Sequence, residues 1–259
     1  MWRALACVTV PPVTFVRGAL SIALLTLVAC AGDTEADDEN PETATGAILG
    51  GTETFDRPEV GKLVHNNAYC TATLIRPNVV LSAAHCVSGS PKGEAQTGYS
   101  FTIQTSPTEK QRFEIDNVYS VPVAADFDGT QKWRDKDIAL LRLTKSVPAR
   151  LAAPASVATR QPWPGATLAV YGYGCTDRAT RTGGGTKRKK TSTYSMSRAL
   201  GWSHPQDVCP GDSGGPLFDV FANSVIGTTS GFVNGDDRWG DIPANHDLVN
   251  RVADGWSAE

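Results

Sequence analysis

Gly211-Asp212-Ser213-Gly214-Gly215-Pro216, shortly after Cys209, encloses a serine between glycines, an arrangement that side-chain packing does not call for. Glycine takes backbone dihedrals closed to other residues and allows close approach, which leaves the Ser213 hydroxyl and neighbouring N–H groups presented to a substrate. A plain Gly-Ser turn is the competing reading, and two possible partners elsewhere in the chain weaken it. His85 lies in Leu81-Ser82-Ala83-Ala84-His85-Cys86, directly after the strand-like run Val79-Val80-Leu81. Asp137 opens Asp137-Ile138-Ala139-Leu140-Leu141-Arg142-Leu143, whose alternation after Ile138 suits a half-buried strand entered straight after a carboxylate. Taken singly, a histidine is usually a surface or core residue and an aspartate before a strand is usually a turn residue. Together with Ser213 they supply a base, an orienting acid and a nucleophile.

With the order His85, Asp137, Ser213, these motifs resemble those of the trypsin-like serine proteases of the chymotrypsin family, over about Ile48 to Trp256. The serine motif also satisfies the G-x-S-x-G pattern of α/β-hydrolases, whose acid and histidine follow the serine. Here only 46 residues and one histidine, His246, follow Ser213, and Gly214-Gly215-Pro216 is poor material for the helix that such an elbow starts. Two rivals within the fold are a catalytically silent binding protein and an enzyme acting on esters alone.

Strand-like runs punctuated by turns, such as Pro77-Asn78 between Leu74-Ile75 and Val79-Val80, indicate an all-β chain by themselves. The resemblance makes this two six-stranded antiparallel β-barrels with the active site in the cleft between them. Barrel one runs from about 48 to 150 with His85 and Asp137, and barrel two from about 166 to 259 with Ser213; Pro- and Ala-rich residues Leu151 to Pro164 link them. With the chain ending at Glu259, soon after Trp256, the family's closing C-terminal helix is expected to be largely missing.

The resemblance implies a serine endopeptidase in which Ser213 attacks a peptide carbonyl, His85 takes and returns the proton, and Asp137 orients the ring. The N–H groups of Gly211 and Ser213 are expected to form the oxyanion hole. It also implies activation by a new N-terminal ammonium at Ile48, which begins Ile48-Leu49-Gly50-Gly51, pairing with Asp212. The residue before Ile48 is Ala47, so a protease other than a tryptic one must act as the activator.

By the same resemblance, Asp207 is the base of a pocket for a substrate Arg or Lys, and Ser230 ends the substrate-binding strand Gly227-Thr228-Thr229-Ser230. Gly231-Phe232 follows where a Trp-Gly pair is usual, so in one register Phe232 crowds the pocket and in the next Gly231 forms its wall. Counting back from Val252 brings Asp247 near a wall position that is normally glycine. Cys70 and Cys86 bracket His85 as the family's histidine-loop disulfide does, and Cys175 is expected to bond Cys209.

Residues 1–29 read as an export signal, with Arg3 and Arg17 before the twelve-residue apolar run Gly18 to Ala29, which is too short to span a bilayer. Leu27-Val28-Ala29-Cys30 resembles a bacterial lipobox, which implies a lipidated Cys30 and membrane attachment. A plain signal-peptidase site is the alternative. Ala31 in place of Asp after that cysteine points to the outer membrane. Residues 30–47, with six Asp or Glu between Ala31 and Ala47 and no basic residue, read as an acidic tether, leaving 48–259 as the peptidase domain. Cleavage before Ile48 would therefore both activate the enzyme and release it from the cell envelope as a secreted form.

The expected partners are protein or peptide substrates and an activating protease. The near-balanced charge, −3 over 259 residues, gives no reason to expect nucleic acid. His65, His204 and His246 show no ligand spacing, so neither a metal nor a cofactor is expected. Lys187-Arg188-Lys189-Lys190 falls where the family has an exposed loop, and reads as a solvated face and a self-cleavage site if the enzyme cuts after basic residues.

Overall fold

A computed structural model describes residues 48–87, 97–121, 136–193, 207–233 and 236–258. The export, tether and lipidation segments, including Cys30, lie outside these residues.

Six strands close into an antiparallel barrel: β2 (Val60–His65), β3 (Ala68–Arg76), β4 (Val79–Ser82), β5 (Tyr99–Gln104), β6 (Lys110–Ser120) and β7 (Ala139–Leu143), in the order β2-β3-β4-β7-β6-β5. The turn expected at Pro77-Asn78 joins β3 to β4. The apolar runs Val79-Val80-Leu81 of β4 and Ala139-Leu140-Leu141 of β7 follow from burial on both faces. Val80, Leu141 and Leu143 point into the barrel with Leu74, Phe101 and Ile103. The alternate residues Val79, Leu81 and Leu140 pack outward against Tyr171, Phe218 and Val225 of the second sheet.

That second sheet contains β1 (Thr52–Glu53), β8 (Ser156–Val157), β9 (Thr167–Gly172), β10 (Arg188–Thr193), β11 (Pro216–Asp219), β12 (Ser224–Val233) and β13 (Asp236–Asp241). Its order is β1-β10-β9-β11-β12-β13, with β8 parallel to β12. The fold is mostly β, as expected, but the second half differs from a six-stranded barrel: among the described residues its edges β1 and β13 are not paired with each other. β1 also departs from the expected division, because its register partners are Lys189 and Arg188 of β10. Both sheets belong to one compact unit.

The expectation of a missing terminal helix is overturned by α1 (Ile242–Ser257). Asp241 caps its start by accepting from the Ala244 N–H at 3.0 Å. Ile242, Val249 and Ala253 form its buried stripe. Its last turns are held by the first barrel: Arg76 bonds Asp254 and Asn250 at 2.8 and 2.9 Å, and Asn78 donates to the Trp256 carbonyl at 3.0 Å. A 3.6-residue apolar period with tertiary partners for its final carbonyls suffices for a helix ending this close to Glu259.

Candidate active site

His85 lies on a 3-10 turn, Ala84–Val87, immediately after β4, and Cys86 in that turn is bonded to Cys70 of β3. Asp137 enters β7 beside it and is fully buried. One carboxylate oxygen accepts the His85 backbone N–H at 2.9 Å, and the other is 2.7 Å from His85 Nδ1. Ser230 Oγ donates to that second oxygen at 2.5 Å. A buried carboxylate with three donors around it is fixed in orientation, and the imidazole is fixed with it. The ring is one-third exposed, with Nε2 3.9 Å from Cys86 Sγ. The sulfurs of Cys70 and Cys86 cluster with this ring within 4.8 Å, but they are joined to each other, which removes the thiolates a metal would take.

The loop carrying Ser213 is seated on the same part of the first barrel. The Ser213 carbonyl accepts from the Thr71 N–H at 2.8 Å, and the Gly214 N–H donates to the Thr229 carbonyl at 2.7 Å. Gly214 has φ +77°, and a Cβ there would collide with Ser82 Oγ, the Thr71 carbonyl and the Ala83 nitrogen, two residues before His85. Only glycine permits both the conformation and the approach. At Gly211, φ is +102° and a Cβ would strike the Tyr69 ring. Thr71, fully buried, receives the Tyr173 N–H at 3.1 Å and donates to the Gly211 carbonyl at 2.9 Å. It thereby turns that carbonyl inward.

Ile48 and Asp212, expected together, are together: both are fully buried, and the Ile48 backbone N–H bonds the Asp212 carboxylate. Gly174 and Cys209 N–H groups add bonds of 2.6 and 2.9 Å. Burial nevertheless pushes the Asp212 carboxyl up to about 7, because three dipoles do not replace a full counter-charge. Ile48 has φ +54°, a region that β-branched residues rarely occupy.

Asp207 lies beneath this loop, 5 % exposed, with its carboxylate 2.6 Å from Lys190 Nζ. Lys190 also donates to the Leu49 carbonyl at 3.0 Å. The second carboxylate beside Asp207 is Asp237 of β13, fully buried, accepting the Asp207 N–H at 2.8 Å. Burial first, and the nearby Asp207 charge second among the raising causes, push the Asp237 carboxyl up to about 7. The wall expectation for Asp247 is therefore corrected: its side chain is fully exposed on α1. Residues Ile242–Ser257 form a helix, so Asp247 sits on its solvent face and not on a strand beside the pocket. Of the two registers for the wall, Phe232 pairs with Asp237, and the Arg178 guanidinium lies 3.9 Å from its ring centre.

The basic run is not a solvated loop. Arg188, Lys189 and Lys190 belong to β10, and Lys187 is buried with Nζ on the Arg57 carbonyl at 2.9 Å. Desolvation lowers the Lys187 pKa to about 8. Lys189 pairs with Asp56 at 2.5 Å. Charge density alone suggests solvent exposure, but the fold gives Lys187, Lys189 and Lys190 partners on other segments. Thr71, Arg178 and Asp237 are not singled out by the sequence because no local motif surrounds them, and Lys190 is read there only as part of a solvated basic run. Only the position of Thr71 beside Cys70 could have flagged it.

The second expected bridge, Cys175–Cys209, is present, and both cysteines are buried. It ties the turn after β9 to the segment before Ser213. In the chain-entropy picture, its 34-residue separation corresponds to about 4 kcal/mol. Replacing both cysteines with serine is expected to lower the melting temperature by about 10 °C. Calorimetry reads this directly, and a fall of only a degree or two would show that the bridge contributes little to stability.

A family model described as Trypsin matches residues 48–244. A trypsin-like protease of Streptomyces glaucescens is 26% identical over 200 residues, covering 68% of each chain. Trypsin of Saccharopolyspora erythraea is 28% identical over 71% of this chain and 86% of its own. Trypsin epsilon of Drosophila erecta is 25% identical over 89% and 96%. Among solved structures, mouse brain neuropsin, a serine protease, aligns with TM-score 0.62 at 19% identity, over 80% of this chain and 100% of its own. Human heparin binding protein aligns with TM-score 0.64 at 17% identity, over 80% and 97%.

Proposed function

We propose a mechanism from the premise that this chain belongs to the trypsin family and is a serine-type endopeptidase acting on proteins or peptides. Ser213 is the nucleophile, His85 the general base and then acid, and Asp137 the group that holds the ring with its proton on Nδ1. Attack on the scissile carbonyl gives an acyl-enzyme that water then hydrolyses. The developing oxyanion is met by the N–H groups of Gly211 and Ser213. The observation that carries this reading is the buried Asp137 bonded to both the backbone and the ring of His85. In the working enzyme the Ser213 hydroxyl donates to His85 Nε2, which takes its proton as the hydroxyl oxygen attacks.

Activation follows cleavage between Ala47 and Ile48. The new ammonium replaces a backbone N–H at Asp212 and supplies the missing counter-charge. The left-handed dihedral at Ile48 ceases to exist, which removes a strain of about 1–3 kcal/mol. Export is supported by two disulfides, which persist in oxidising compartments. Residues 1–29 then act as the signal, Cys30 as a lipid anchor, and cleavage before Ile48 as the step that frees the active domain. N-terminal sequencing of active material should begin at Ile48; active protein still carrying Cys30 would contradict release.

The silent-binding alternative draws on the neighbour named for heparin binding. One experiment separates the readings. A fluorophosphonate probe is expected to label the processed wild type but not Ser213→Ala, and the absence of labelling in both would favour the silent protein.

A further inference from the structure

Arg178 lies three residues after Cys175, on a turn built to present it. Asp177 Oδ1 accepts the Ala179 and Thr180 N–H groups at 2.8 and 3.1 Å, and Asp177 bridges to Thr182 across the turn. The disulfide to Cys209 fixes the base of this turn beside Val208. From there the guanidinium reaches three separate segments. It donates to the Val208 carbonyl, it faces the Asp237 carboxylate at 3.8 Å, and it stacks 3.9 Å from the centre of the Phe232 ring. One segment immediately precedes the nucleophile loop, one continues the strand from Ser230, and the third is β13.

We propose that Arg178 is a specificity-determining residue: it occupies the seat of a substrate's basic side chain, so the enzyme cleaves after small uncharged residues and not after Arg or Lys. This rests on the protease reading above and deepens it. The charge balance leads to the same result. Of the two buried carboxylates, Asp207 is paired with Lys190 and Asp237 faces Arg178. Two anions are met by two cations from the chain itself. Among the described residues a substrate Arg or Lys would bring a third cation into a site with no anion left for it, and its desolvation would go uncompensated. Phe232 and the guanidinium stacked on it also take up volume, which favours a short side chain.

Arg178→Ala exposes the Asp237 carboxylate to an incoming cation. The processed wild type and variant would be profiled on matched peptides with Arg, Lys, Ala or Ser before the scissile bond. The wild type is expected to prefer Ala or Ser. In the variant, the ratio of kcat/KM for Arg to that for Ala is expected to rise about 10- to 100-fold, the range for a charged hydrogen bond. Arg178→Gln, uncharged but of similar length, should show a smaller rise, and it serves as the second variant if the alanine form does not fold. Calorimetry with benzamidine, a flat amidinium cation, gives a readout without turnover: no binding at millimolar concentration to the wild type, and measurable binding to Arg178→Ala. A wild type that prefers Arg or Lys, with an unchanged ratio in both variants, overturns the proposal. If the protease reading itself fails, Ser213 goes unlabelled in the wild type while benzamidine still distinguishes Arg178→Ala, so the two failures are distinct.

Discussion

Asp137→Asn is expected to fold as the wild type does and to cleave peptides about 10⁴-fold more slowly, with the loss in kcat. The carboxylate is fully buried and receives only donors: the His85 N–H, the ring Nδ1 side and the Ser230 hydroxyl. An asparagine fills the same volume but turns one oxygen into an NH₂ group. Whichever way the amide is set, a donor then confronts a donor, or the imidazole shifts its proton to Nε2 so that Nδ1 can accept. That tautomer presents an N–H to Ser213 in place of a lone pair, and the base is lost. Steady-state kinetics with thermal melts test this. A variant within tenfold of wild-type kcat would mean that Asp137 does not set the ring's proton.

The second large effect belongs to the buried pair that the proposed activation would create. In a chain processed to begin at Ile48, Asp212→Asn leaves an ammonium in the interior without its counter-charge, a change that costs about 3–5 kcal/mol in comparable buried pairs. If that cost falls on the ordered Ser213 loop, activity is expected to drop by about 10²- to 10³-fold. Slowed fluorophosphonate labelling should accompany the drop.

The same pair gives a pH signature whose sign follows from proton binding. In the uncleaved chain the Asp212 carboxyl is raised to about 7 by burial, against an ordinary value of about 3.9 when unfolded. Between these limits the folded state holds the proton and the unfolded state releases it, so stability falls as pH rises through that window. On the proposed activation, cleavage would add an ammonium that holds the carboxylate charged, and the penalty would disappear. Asp237 is shifted in the same direction and its charge is one of the causes that raise Asp212, so the comparison is repeated in an Asp237→Asn background to remove its contribution. The melting temperature of the cleaved form should therefore exceed that of the uncleaved form by more at pH 7.5 than at pH 5. A gap that stays constant across that range would place Asp212 outside the activation pair.

Much of this site was legible because its chemistry is carried by short, local patterns. The glycines around Ser213, the strand before His85 and the strand after Asp137 are each readable within ten residues, and the structure brings the latter two side chains to 2.7 Å. Both disulfide pairings were likewise anticipated. The pocket was not. Counting back from Val252 leads to Asp247, but that segment is helical and carries the side chain to the surface, whereas Asp237 reaches Asp207 from β13. The Lys187–Lys190 run looked solvated because sequence shows charge without partners, and those partners are Arg57, Asp56 and Asp207, from 17 to more than 100 residues away.

By itself, the chain's order of residues determined a mostly β fold, a family and three side chains fit for acyl transfer, since strand period and motif chemistry are local properties. Tertiary structure decided that a terminal helix exists, that β1 joins the second sheet, and that two buried acids are each answered by a cation from a distant segment. Those outcomes depend on which groups share a desolvated space, and the cost of burying charge is set by three-dimensional neighbours that no stretch of sequence displays.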